Sequence, residues 1–66
     1  MYSFKIERLE EIKKQNLSNM ARDIGITYVY LTGIIHNKKN CKKTVAYCIT
    51  KYINKTKEIN YYFNEL

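Results

Sequence analysis

Asn16-Leu17-Ser18-Asn19-Met20-Ala21-Arg22-Asp23-Ile24-Gly25-Ile26-Thr27-Tyr28-Val29-Tyr30-Leu31-Thr32-Gly33-Ile34-Ile35-His36-Asn37 is the stretch in which two helical periodicities meet at a glycine. Leu17, Met20, Ala21 and Ile24 stand at i, i+3, i+4 and i+7, which is one apolar stripe on one helix face. Asn16 precedes the stripe as an N-cap, and Gly25 follows it where a left-handed residue ends a helix. Ile26 then reads as a buried bridge and Thr27 as the N-cap of the next helix. On that helix, about Tyr28 to His36, residues advance by roughly 100° each and separate into two arcs. Tyr30, Leu31, Ile34 and Ile35 form the inward arc. Tyr28, Val29, Thr32, Gly33 and His36 form the outward one, which carries no charge at neutral pH.

Outward from this pair, Ile6, Leu9 and Ile12 predict a first helix running from an N-cap at Ser3 to about Lys14, with Phe4 as an extra anchor. Val45, Cys48, Ile49, Tyr52 and Ile53 predict a fourth helix beyond Thr44, and Ile59, Tyr62, Phe63 and Leu66 a terminal amphipathic segment. The chain has 66 residues, no proline and two glycines, a composition that suits one all-α domain built as a compact bundle of about five helices. The start lacks the apolar core of a signal peptide and no apolar run is long enough to span a membrane, so the expected setting is cytoplasmic. Cys41 and Cys48 are then reduced thiols, with Cys48 expected as a small buried hydrophobe. Two cysteines and the single His36 fall short of a structural zinc site, and no metal or cofactor is expected.

The net charge is +6, and it is unevenly spread. No Asp or Glu occurs between Asp23 and Glu58, whereas Lys38, Lys39, Lys42, Lys43, Lys51, Lys55 and Lys57 all do. Such a field suits a polyanion, either nucleic acid or an anionic membrane surface. A solvated basic face is the plain alternative, and only the helical pattern separates the two.

From Leu17 to Ile34 the chain resembles the helix-turn-helix of Cro and C1-type phage repressors, with the motif proper spanning about 16–37. Ala21 stands where that family has a small residue at the crossing of the two helices, Gly25 at its turn, and Met20, Ile24, Ile26, Leu31 and Ile34 at its shared core. The similarity extends over roughly Ile6 to Ile53. Leu17, Ile35 and Asn37 depart from it, standing where Gln, Glu and Gly are frequent. The resemblance implies a small transcriptional regulator, a phage or mobile-element repressor, that docks the helix of about 28–36 in the major groove of double-stranded DNA.

On that reading Thr27, Tyr28, Val29, Thr32 and Gly33 are the candidate base contacts, since hydroxyls and apolar groups can meet base edges and thymine methyls. Lys38, Lys39, Lys42 and Lys43 are candidate phosphate contacts, joined by Asn16, Ser18 and His36. One helix reads few base pairs, which favours a homodimer on a two-fold site, with the segment 59–66 as pairing surface. No enzyme is expected: His36 is alone and the carboxylates gather on the first helix and near the C-terminus. Two further readings of the same residues stay open. One is a protein-interaction module such as an antitoxin or antirepressor; the other is an RNA-binding protein that stacks bases on its seven tyrosines.

Overall fold

Two strands that the helical pattern does not announce bracket the molecule: β1 (Tyr2–Phe4) pairs antiparallel with β2 (Phe63–Glu65). A computed structural model describes all residues, Met1–Leu66. Between the strands run a 3₁₀ turn (Ile6–Arg8), α1 (Leu9–Lys13), α2 (Leu17–Ile24), α3 (Tyr28–Ile35), α4 (Lys43–Ile53) and α5 (Ile59–Tyr62). The protein is mostly α-helical, and the expectation of a purely helical bundle is corrected by the two-stranded sheet. No helix is long and apolar enough to cross a membrane.

The corrections have one origin. Phe4 and Phe63 are fully buried, directly opposite each other in the sheet, with their rings edge to face at 5.4 Å. An extended backbone on both sides brings these rings together, and such an aromatic pair adds to the area it buries. Ser3 therefore lies within a strand and caps no helix, and the first helix starts only after an extended Lys5. Ile6, expected in the core, is exposed instead. At the other end α5 stops after four residues so that Phe63 can enter β2.

The middle of the chain follows its own periodicity. Met20 and Ala21 on α2, and Leu31, Ile34 and Ile35 on α3, are buried in a core of twelve apolar residues. Asn16 Oδ1 accepts from the Asn19 N–H at 3.0 Å and Thr27 Oγ1 from the Tyr30 N–H at 3.0 Å, so both helices carry their side-chain N-caps. Gly25 has φ of 91°, a region that costs little only without a Cβ, and there the N–H groups of Gly25 and Ile26 both reach the Ala21 carbonyl. Asn37, with φ of 59°, ends α3 in the same hand: Asn37 N–H donates to Ile34 O and Lys38 N–H to Gly33 O. Those two bonds make a Schellman motif around a non-glycine residue.

On α4 the buried stripe is Ala46, Ile49 and Thr50, with Ile53 half-buried one turn further. Cys48 falls off that stripe and is exposed, so its expected burial is corrected. Cys41 is the buried thiol, held by paired backbone bonds between Tyr2 and Cys41. Burial pushes its pKa up to about 11 despite the nearby N-terminal ammonium, which leaves little thiolate at neutral pH.

α1 is fastened to α5 by polar contacts. Tyr62 donates its hydroxyl to Glu11 Oε1 at 2.9 Å, while Arg8 pairs with Glu11 and stacks 3.7 Å from the centre of the Tyr61 ring. Burial first, and then the Glu11 carboxylate, push the Tyr62 phenol up from 10.0 to about 12. A raised phenol means that the fold prefers the protonated form. Its contribution is complete below the unfolded-state value and is lost as pH rises through the folded one.

Two measurements test this packing. Ala21→Leu inserts three carbons where α2 meets α3 and is expected to cost about 1 to 3 kcal/mol, seen as a lower melting temperature; an unchanged melt would contradict the crossing. The stability difference between the wild type and Tyr62→Phe is expected to hold steady below pH 10 and to shrink between pH 10 and about 12. A difference constant across that window would mean that Tyr62 ionises as freely in the fold as in the unfolded chain.

Candidate nucleic-acid interface

α3 presents two unlike sides. Leu31, Ile34 and Ile35 are buried and Tyr30 is half-buried, whereas Val29 and Tyr28 are 73% and 51% exposed. Apolar side chains cost least when covered, so an isopropyl group and a phenol ring left on one outward turn form a surface without an intramolecular partner. Thr27 and His36 bound this side and are exposed, while Thr32 and Gly33 are half-buried within it.

The polar groups on this side have their hydrogens assigned. The Thr32 hydroxyl donates to the Val29 carbonyl at 3.0 Å, so its oxygen offers only lone pairs to anything that approaches. His36 Nδ1 lies 2.8 Å from the Thr32 carbonyl, an acceptor, so Nδ1 carries the hydrogen and Nε2 is the nitrogen left for another partner. Thr27 Oγ1 accepts from the Tyr30 N–H, and its own hydrogen is spare. Asn16 likewise spends its side-chain oxygen on the α2 cap and keeps its amide donors; Ser18 is exposed on the first turn of α2.

The lysines divide into two groups. Lys38 and Lys39 donate their backbone N–H groups to the Gly33 carbonyl, which ties the start of the loop to α3. The Lys39 stem also lies across Gly33: a Cβ built there would meet its Cγ and Cδ at 3.3 Å. The occupant of the space over Gly33 is thus a lysine side chain from this chain, which the linear sequence does not reveal. Lys42 caps α4 without a side-chain bond to its free N–H groups, and it is exposed. Lys43, by contrast, lines an open groove with Tyr2, Lys5, Tyr47, Glu58 and Glu65, a mixed field of both signs. None of these four ammonium groups is within ion-pair distance of a carboxylate.

The loop carrying Lys38, Lys39 and Lys42 is anchored at its far side too. Cys41 exchanges backbone bonds of 2.8 and 2.9 Å with Tyr2, so β1 is held between β2 and the lysine loop. The expected pairing segment is mostly spent inside the chain: Tyr62 and Phe63 are buried and residues 63–65 pair with β1. Ile59 is half-buried and Leu66 is 68% exposed. Comparison with protein-family models, with curated proteins and with solved structures found no match to this chain.

Gly33→Ala separates helix propensity from packing. Alanine is worth up to about 1 kcal/mol over glycine inside a helix, and the obstructing atoms belong to an exposed, flexible side chain that can give way. The variant is expected to melt higher than the wild type. A lower melting temperature would show that the Lys39 stem is locked over Gly33.

Proposed function

We propose that the chain is a sequence-specific double-stranded DNA-binding protein and a small transcriptional regulator, a repressor in its most direct use. α2 and α3 act as a helix-turn-helix, with α3 in the major groove. The observation that carries this reading is the juxtaposition on α3 of an uncharged, outward Tyr28, Val29 and Thr32 with the lysine loop that its last turn holds. Phosphate attraction is independent of sequence and needs the lysines; selection among base pairs needs neutral groups that fit base edges. Both requirements are met on adjoining surfaces.

In this docking the N-terminal turn of α3 enters deepest, which gives Thr27, Tyr28, Val29 and Thr32 the base edges. Gly33 admits the duplex less closely than a bare backbone would, because Lys39 covers it. Lys38, Lys39, Lys42 and Lys43 take phosphates, with the Asn16 amide and the Ser18 hydroxyl as neutral donors, while His36, its Nδ1 hydrogen given to the Thr32 carbonyl, donates to a phosphate from Nε2 only as the imidazolium. An anion at the α4 N-terminus would also offset the unfavourable placement of Lys42 and Lys43 at the positive end of that helix. Two protomers on a symmetric operator would supply the discrimination that a single short helix lacks.

The exposed Tyr28 and Val29 could equally be covered by a protein, as in an antitoxin or antirepressor, and salt dependence tells the two apart. For duplex binding, each Lys→Ala change at 38, 39, 42 or 43 is expected to weaken specific and random DNA alike. Each should also reduce the slope of log affinity against log salt by about one unit, and the fourfold variant by about four. An unchanged slope in the fourfold variant would overturn the assignment of these lysines to phosphates, and no binding of any duplex at low salt would overturn the reading in favour of a protein partner. Preference for single-stranded RNA under the same conditions would overturn it in favour of RNA.

A further inference from the structure

The outward side of α3 lacks every side chain that reads guanine or adenine by a two-point hydrogen bond. Arg and Lys pair with guanine O6 and N7, and Asn and Gln with adenine N6 and N7. None of these four residue types occurs between Tyr28 and His36. What the surface offers is an isopropyl group at Val29, 73% exposed, a phenol ring at Tyr28, and the hydroxyl and methyl of Thr32.

The hydrogen-bond assignments narrow the choice further. While its hydrogen is given to the Val29 carbonyl, Thr32 presents its oxygen as an acceptor, suited to the amino group of adenine or cytosine and not to guanine O6 or N7. The spare hydrogen of Thr27 is a single donor that thymine O4 and guanine accept alike. Lys39 has its stem across Gly33, one helical turn beyond Val29 and toward the C-terminal end of α3. The part of α3 that enters deepest is therefore apolar at Val29, flanked by the single-point hydroxyls of Thr27, Tyr28 and Thr32, and the one feature of the major groove complementary to an exposed aliphatic group is the thymine 5-methyl.

We propose that α3 selects A·T-rich half-sites by apolar contact with thymine methyl groups, with Val29 as the principal reader and Thr32 accepting from an adjacent adenine amino group. This rests on the duplex-binding reading above and adds what the duplex must contain. The surrounding lysines supply the counter-charge that brings a polyanion to this otherwise neutral surface.

The experiment has two stages, both on the whole chain. Selection from a randomised duplex pool is expected to return sites rich in A·T pairs. Replacing thymines of a selected site one at a time with deoxyuridine removes a methyl and leaves base pairing intact. At contacted positions the wild type is expected to bind roughly fourfold more weakly per methyl lost, the value of one buried methyl-sized group. Val29→Ala is expected to lose that sensitivity at one thymine position and to keep it elsewhere; thermal melting of the variant checks that the fold is retained. G·C-rich selected sites, or deoxyuridine substitution without effect at every position, would overturn the A·T proposal while leaving duplex recognition standing. Failure to bind any duplex would overturn both.

Discussion

The backbone at Gly25 turns left-handed, with φ of 91°, and the relation between α2 and α3 depends on that torsion. It allows Ile26 N–H to fold back onto the Ala21 carbonyl and delivers Thr27, extended, to the start of α3 where its hydroxyl can cap. Ala21 is buried beneath the turn, where a larger side chain would hold the helices apart. With the turn in place, Leu31, Ile34 and Ile35 face Met20 and Ala21 in one core, and Tyr28 and Val29 are left outside. Any residue other than glycine at this position would need a strained backbone, although nothing lies within 4 Å to obstruct its Cβ.

The lysine loop depends on a different part of the chain. Its first residues hang from the Gly33 carbonyl, and Cys41 is clasped to Tyr2, so Lys38, Lys39 and Lys42 ride on a backbone fixed at both ends. A charged loop held this way loses less conformational freedom on meeting an anion than a free one would. The small sheet, remote from α3 in sequence, thus reaches the candidate interface through Cys41. It also accounts for the inert thiol: the cysteine that secures the loop is the one buried with its pKa raised.

α2 and α3 were legible because their signals are local. Asn16, Thr27, Gly25 and Asn37 each act on residues within a turn of themselves, and the apolar spacing needs only eight residues to show. The strands carry three residues each, too few for an alternation to stand out, and their partners lie some sixty positions apart. Phe4 and Phe63 read equally well as helix anchors until they are seen opposite each other. Cys48 was misassigned because α4 turns its Ala46 and Thr50 inward, residues less apolar than the cysteine they displace. Tyr28, Val29 and His36 were readable as the exposed side of α3, but the half-burial of Thr32 and Gly33 and the crossing of Gly33 by Lys39 were not, since a loop's return path over a helix leaves no periodic trace.

The β1–β2 ladder joins positions 2–4 to 63–65 and so makes a closed ring of nearly the whole chain. Closing a ring of that length carries a large entropy cost that rises only slowly with added residues, while the contacts between α2 and α3 close a ring of about a dozen. The protein therefore contains two kinetically unlike parts: a local helical pair that can assemble early, and a distant seam that forms once the ends meet. Opening of the seam releases Phe4, Phe63 and the Tyr2 clasp on Cys41 together. Breathing at one edge of the molecule would in this way loosen the lysine loop at another, without disturbing the turn at Gly25.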